Sequence, residues 1–155
     1  MAIRINIDQH QLKGTPLTSH THTNVTQNPP VLVRWYPPPQ GTFKLNFDGS
    51  CKTASTAAGF IIRDSNGAPI SIHTYNLGIT QAFMEEACAL HKGLQEAKKL
   101  NIKHLHIEGD NMMVINVVKG TWKTPWKLHF VIQDILEIIN SFYTWNIKHV
   151  YREAN

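Results

Sequence analysis

The chain has 155 residues, 42% hydrophobic and 17% charged, a globular composition that fits one domain with a real core. Fifteen Lys and Arg against eleven Asp and Glu leave a net charge of +4, which permits a polyanionic partner without requiring one. Cys51 and Cys88 show neither CxxC nor zinc spacing, no run reaches membrane-span length and the N-terminus lacks a signal-peptide core, so an intracellular, reduced protein with no membrane partner is expected.

Residues 1–42 read as a tail and linker, and 43–155 as the domain. Residues 1–30 are rich in Thr, His, Asn and Gln and read as a flexible tail, in which His20, His22 and the Asn24-Val25-Thr26 sequon carry no chemistry. Residues 31–42, with Pro29-Pro30 before them and Pro37-Pro38-Pro39 inside, read as a semi-rigid lead-in.

From Phe43 the pattern sharpens. Phe43, Leu45 and Phe47 alternate with Lys44, Asn46 and Asp48, the two-residue period of a strand. Ala58–Arg63 is a second strand, Asp64-Ser-Asn-Gly67 a turn, and Pro69–Leu77 a third strand, giving an antiparallel meander. Between Gln81 and Leu100 the period becomes helical, with Phe83, Ala87, Leu90, Leu94, Ala97 and Leu100 on one stripe. His104–Glu108 is a fourth strand and Asn111–Lys119 a short helix closed by Gly120. Thr124-Pro125 predicts an N-cap and N1 for a helix running to about Phe142, with Phe130, Ile135, Leu136, Ile138 and Ile139 as its core. Trp145–Val150 is a fifth strand. The order is β-β-β-α-β-α-α-β, an α/β fold with a mixed sheet and helices packed on it.

Three acidic residues stand out. Glu86 falls on the helical stripe, three residues after Phe83 and four before Leu90, whereas Glu85 aligns with Ala89, Lys92 and Glu96 on the predicted wet face. A carboxylate facing a sheet is costly unless it is paired or holds a cation; the alternative is a stripe-edge Glu that reaches water. Asp110 follows the fourth strand and is either an N-cap or a ligand at a strand end. Asp48 is either the start of an Asp-Gly turn or a carboxylate carried to the rim of the sheet, and residues 49–57 are too long for a two-residue hairpin. Together the three would suit a hard divalent cation. His149 ends the fifth strand, and imidazole titrates near neutral pH; a plain surface histidine is the alternative.

The motifs KLNFDGS, AGFIIRDSNG, EEACAL, IEGDN and HVYREAN, in this order, resemble the type 1 ribonuclease H family. The likeness is greatest to the plant ribonuclease-H-like domain of retroelement relatives, whose lead-in VRWYPPPQGTFKLNFDGS also resembles. The resemblance implies a five-stranded ribonuclease-H-like sheet, three antiparallel strands followed by parallel additions, flanked by helices. It implies a metal-dependent endonuclease that hydrolyses the RNA strand of RNA–DNA hybrids by a two-metal mechanism. Asp48, Glu86 and Asp110 match the metal ligands, and His149 the histidine that assists proton transfer. Mg²⁺ is the implied ion, with Mn²⁺ as a substitute. Asn111, Lys52, Lys123 and Lys127 are candidate nucleic-acid contacts, each with a plain surface role as the alternative.

The family's fourth carboxylate lies past the Arg-Glu-Ala-Asn motif, so the domain is expected to be C-terminally truncated. Tyr151 replaces a usual proline, and no strongly basic insertion separates Lys119 from Lys127. A catalytically impaired module that binds nucleic acid or a protein is therefore the alternative function. A monomer is expected, alone or within a larger polypeptide; nucleus and cytoplasm are not distinguished.

Overall fold

The computed structural model describes residues 34–52, 55–78 and 82–155. The expectations for residues 1–30, and the start of the lead-in, lie outside the described residues. Contacts divide the chain into Met1–Arg34 and Trp35–Asn155, and everything below belongs to the second unit.

The strands are β1 (Phe43–Lys52), β2 (Ser55–Arg63), β3 (Pro69–Gly78), β4 (His104–Gly109) and β5 (Thr144–His149). The helices are α1 (Ala82–Lys99), α2 (Met112–Val118) and α3 (His129–Ile139). One five-stranded sheet has the order β3-β2-β1-β4-β5. The pairs β1/β2 and β2/β3 are antiparallel, and β1/β4 and β4/β5 are parallel. This is the mixed sheet the sequence predicts. The β2–β3 turn follows from its residues: the Asp64 carboxylate accepts from the backbone N–H of Asn66 and of Ala68, and Gly67 takes φ +83°, where only glycine is unstrained.

Alternation along β1 assigns its two faces. Leu45 and Phe47 point to the helices and join Phe60, Ile62, Leu90, Leu94, Leu105, Ile107 and Ile135 in the core. Gly93 makes this close packing feasible, because a Cβ there would come within 2.6 Å of the Leu45 side chain. The other face carries a polar network. Lys44, Asn46 and Glu108 are buried there. The Lys44 ammonium donates to Glu108 at 2.8 Å and to the Tyr36 carbonyl at 2.6 Å. Asn46 accepts from the Trp35 indole and from Arg63, and donates to Glu108. Residues after Arg34 thus pack on the sheet through Trp35, whose ring also faces Lys44 and Arg63.

Four sequence expectations are corrected. Glu85 and Ala89 do not face water; both are fully buried. They lie in one helical row with Gly93, and the missing side chain at Gly93 lets that row close on the sheet. Leu100 is exposed because α1 ends at Lys99 and the chain turns through Asn101 at φ 55°, with the Ile102 N–H bonding back to the Ala97 carbonyl. Thr124 does not cap a helix: a 3-10 turn, Trp126–Leu128, comes first and α3 starts only at His129. That start sets the phase to Leu128, Ile132, Ile135 and Ile139, so Phe130 (80% exposed) and Leu136 leave the core. No described helix is long and apolar enough to cross a membrane.

Candidate metal centre

Asp48 is not in a turn. β1 continues through Asp48-Gly49 to Lys52, and Asp48 pairs with Gly59 of β2. On its other side the parallel pairing with β4 stops at Phe47 opposite Gly109. Asp48 is therefore the first β1 residue beyond the end of β4, at the rim of the sheet, and Asp110 is the first residue past β4. The third carboxylate arrives from above: α1 lies so close to Gly49 that Glu86 reaches the same rim while remaining buried. One carboxylate oxygen from each of Asp48, Glu86 and Asp110 lies within 4.8 Å of the others.

Asp110 is not the N-cap of α2. Asn111 holds that position, and its side chain accepts from the Val114 N–H at 3.1 Å. The helix thus has its cap one residue on, which leaves the Asp110 carboxylate to the rim.

The electrostatics fit three like charges brought together. Burial pushes Glu86 up to about 8, opposed by a hydrogen bond from Gly49 and reinforced by Asp110 and Asp48. Asp48 is also raised, by burial first and then by Asp110. One Glu86 oxygen is buried with no hydrogen-bond partner among the described residues. Three converging carboxylates, one of which has an unsatisfied oxygen, suit a hard divalent cation.

His149 ends β5, and its Nε2 donates to the Asp110 carbonyl at 3.1 Å. The ring also meets Tyr151 edge-on. Lys123 and Lys127 are exposed in the connection between α2 and α3, where the Lys127 ammonium lies over the Trp126 ring. The Lys52 side chain is outside the described residues. Sequence reasoning missed Arg152. Its Nε donates to Asp110 at 2.9 Å and its Nη2 lies 3.7 Å from Asp48. The available signal was a cation three residues past His149, in a motif whose neighbours already pointed to the rim.

Residues 46–155, which include all three carboxylates and His149, match the family described as reverse transcriptase-like. The chain belongs to that family. A protein of Arabidopsis thaliana that carries a ribonuclease H name is 26% identical over 126 residues, or 80% of this chain. The chain spans 20% of that protein's length. Among solved structures, ribonuclease H1 of Halobacterium salinarum superposes with a TM-score of 0.68 at 23% identity, covering 72% of this chain and 87% of that one. LC11 ribonuclease H1 in complex with an RNA/DNA hybrid superposes at 0.66 and 18% identity, covering 72% and 86%. These likenesses show a ribonuclease-H-like fold.

Proposed function

We propose that this domain is an endonuclease that hydrolyses the RNA strand of RNA–DNA hybrids, with two divalent cations, Mg²⁺ or Mn²⁺, held by Asp48, Glu86 and Asp110. The observation that carries the proposal is the meeting of the three carboxylates, from β1, α1 and the end of β4, within 4.8 Å on one rim of a ribonuclease-H-like sheet. The structural neighbour in complex with an RNA/DNA hybrid supports the substrate class.

Bound cations would supply Lewis-acid activation of water and charge stabilisation at the leaving oxygen. The chain's own residues do the rest. Asp48 and Asp110 offer oxygens at the rim, and Glu86 closes the site from the buried side. His149 has Nε2 committed to the Asp110 carbonyl, which leaves Nδ1 to take or give a proton beside the site. Asn111, Lys52, Lys123 and Lys127 are proposed contacts to the nucleic acid, chiefly to phosphate, so affinity falls with salt.

Cleavage of an end-labelled hybrid in Mg²⁺ and in Mn²⁺, with single-stranded RNA and duplex DNA as controls, tests the proposal. Metal-dependent cleavage of the RNA strand, abolished by Asp48→Asn, is expected. One observation favours a second reading, a hybrid-binding module without turnover: Arg152 already lies across Asp48 and Asp110. Hybrid binding with no cleavage in either metal would select it.

A further inference from the structure

We propose that Arg152 is an exchange residue. It holds Asp48 and Asp110 when no cation is bound, is displaced when a divalent cation enters, and then pairs with a phosphate of the nucleic-acid substrate. The inference rests on the metal-centre reading above and assigns that site a gate.

Arg152 and the cation compete for the same groups. The guanidinium Nε is hydrogen-bonded to the Asp110 carboxylate at 2.9 Å, and Nη2 is 3.7 Å from Asp48. Two of the three carboxylates proposed as ligands are therefore engaged by one side chain. A lone pair that accepts an N–H bond is not available to a metal ion, and the positive charge of the guanidinium opposes a second cation beside it. The Arg152 side chain is 73% exposed, and exposed ion pairs are weak, so a doubly charged ion can displace it.

The backbone beneath Arg152 is fixed, which makes the exchange a side-chain motion. Arg152 opens a 3-10 turn, Arg152–Ala154. Asn155 anchors the end of that turn: its Nδ2 donates to the Phe47 carbonyl at 2.7 Å, and its Oδ1 accepts from Asn46 at 3.2 Å. Asn46 is itself held by Trp35, Arg63 and Glu108. The turn is thus tied to β1 one residue before Asp48. When the guanidinium leaves the carboxylates it stays at the rim, and its planar fork of donors matches a phosphate.

Titration calorimetry with Mn²⁺ on wild type, Arg152→Gln and Asp48→Asn tests the gate. Wild type should bind Mn²⁺, Asp48→Asn should lose most of that binding, and Arg152→Gln should bind about three- to tenfold tighter. If neither wild type nor Arg152→Gln binds, the metal-centre reading fails and takes the gate with it. If wild type binds and Arg152→Gln binds equally or less well, the gate alone is overturned. The Arg152 Nε–H resonance gives a direct readout: saturating Mg²⁺ should shift it away from its ion-paired position, and an unmoved resonance overturns the exchange. Hybrid affinity in Ca²⁺ tests the second half. Arg152→Gln should bind hybrid about three- to tenfold more weakly, with the salt slope reduced by about one; unchanged affinity and slope overturn the phosphate contact.

Discussion

Gly49 lies directly beneath Glu86: a Cβ on Gly49 would come within 3.0 Å of the Glu86 backbone nitrogen and 3.1 Å of its carboxyl carbon. The close approach of β1 and α1 is therefore what brings Glu86 to the rim beside Asp48. Because the Glu85 Cβ and the Glu86 nitrogen both lie 3.0 Å away and are fixed to the helix, a side chain at position 49 must push the helix back by a few tenths of an ångström. Gly49→Ala is expected to cost about 1–3 kcal/mol of stability and, by displacing Glu86, to lower hybrid cleavage at least about tenfold. Urea unfolding and a cleavage assay on the same preparation check both.

Asp110 and Asn111 are adjacent and do different work. Asn111 caps α2, so Asn111→Ala should cost about 1 kcal/mol. Asp110→Asn loses the contact to Arg152 but relieves repulsion from Asp48 and Glu86, so its stability should stay within about 1 kcal/mol of wild type while cleavage is abolished. A stability loss at Asp110 with cleavage intact would remove Asp110 from the site.

The carboxylate trio was legible because each member leaves a local trace. Asp48 closes an alternating run, Glu86 breaks an apolar stripe, and Asp110 follows a strand. Periodicity likewise shows the five strands and the order of the helices. What it does not show depends on contacts between elements. The burial of Glu85 follows from the depth at which Gly93 lets α1 seat on Leu45, which no helical period encodes. The exposure of Phe130 follows from where the 3-10 turn hands over to α3. Lys44 and Asn46 alternate with the apolar residues of β1, and nothing in that period shows that Trp35 covers them from outside the strand. Arg152 meets Asp48 and Asp110 only once both chain ends of the domain are in place.

The polar layer under Trp35 is expected to behave as a coupled unit. Lys44 and Glu108 are almost fully buried and 2.8 Å apart. Lys44→Met strips a buried carboxylate of its main cation and should cost about 3–5 kcal/mol. The double variant Lys44→Met with Glu108→Leu removes both charges and should recover more than half of that loss. A double-mutant cycle by urea unfolding measures the coupling, and additive losses would contradict it.

Glu85 is fully buried, and both its carboxylate oxygens lack a hydrogen-bond partner among the described residues. A polar group held this way opposes folding. Glu85→Leu keeps most of the volume and removes the polar oxygens, so it should stabilise the domain by about 1–3 kcal/mol, visible as a rise in melting temperature. Glu85→Gln, which leaves an amide in the same place, should gain less.

The raised carboxyl of Glu86 fixes the sign of the pH dependence. Its folded value is about 8 against an ordinary 4.5, with burial the main cause. Between those values the folded chain binds a proton that the unfolded chain has lost, so the Glu86 contribution to stability without metal falls as pH rises from about 4.5 to about 8, against a smaller opposite contribution from His91 and His106, whose burial lowers them. Asp48, raised by burial and by Asp110, contributes a fall of the same sign that begins at its ordinary value of 3.8. The rim beside Glu86 is open to solvent at Asp48, and screening there reduces the effect, so a decline of roughly 2–3 kcal/mol from Glu86 is expected across the window. Glu86→Gln removes the titrating group and should flatten the profile. A divalent cation requires the ionised carboxylate, so Mn²⁺ affinity and cleavage should rise over the same range and level off above about pH 8. Thermal melts from pH 5 to 9 with EDTA and with Mn²⁺ check the sign. A profile that Glu86→Gln leaves unchanged would mean that the Glu86 carboxyl titrates as an ordinary one and is not pressed among its neighbours as the structure has it.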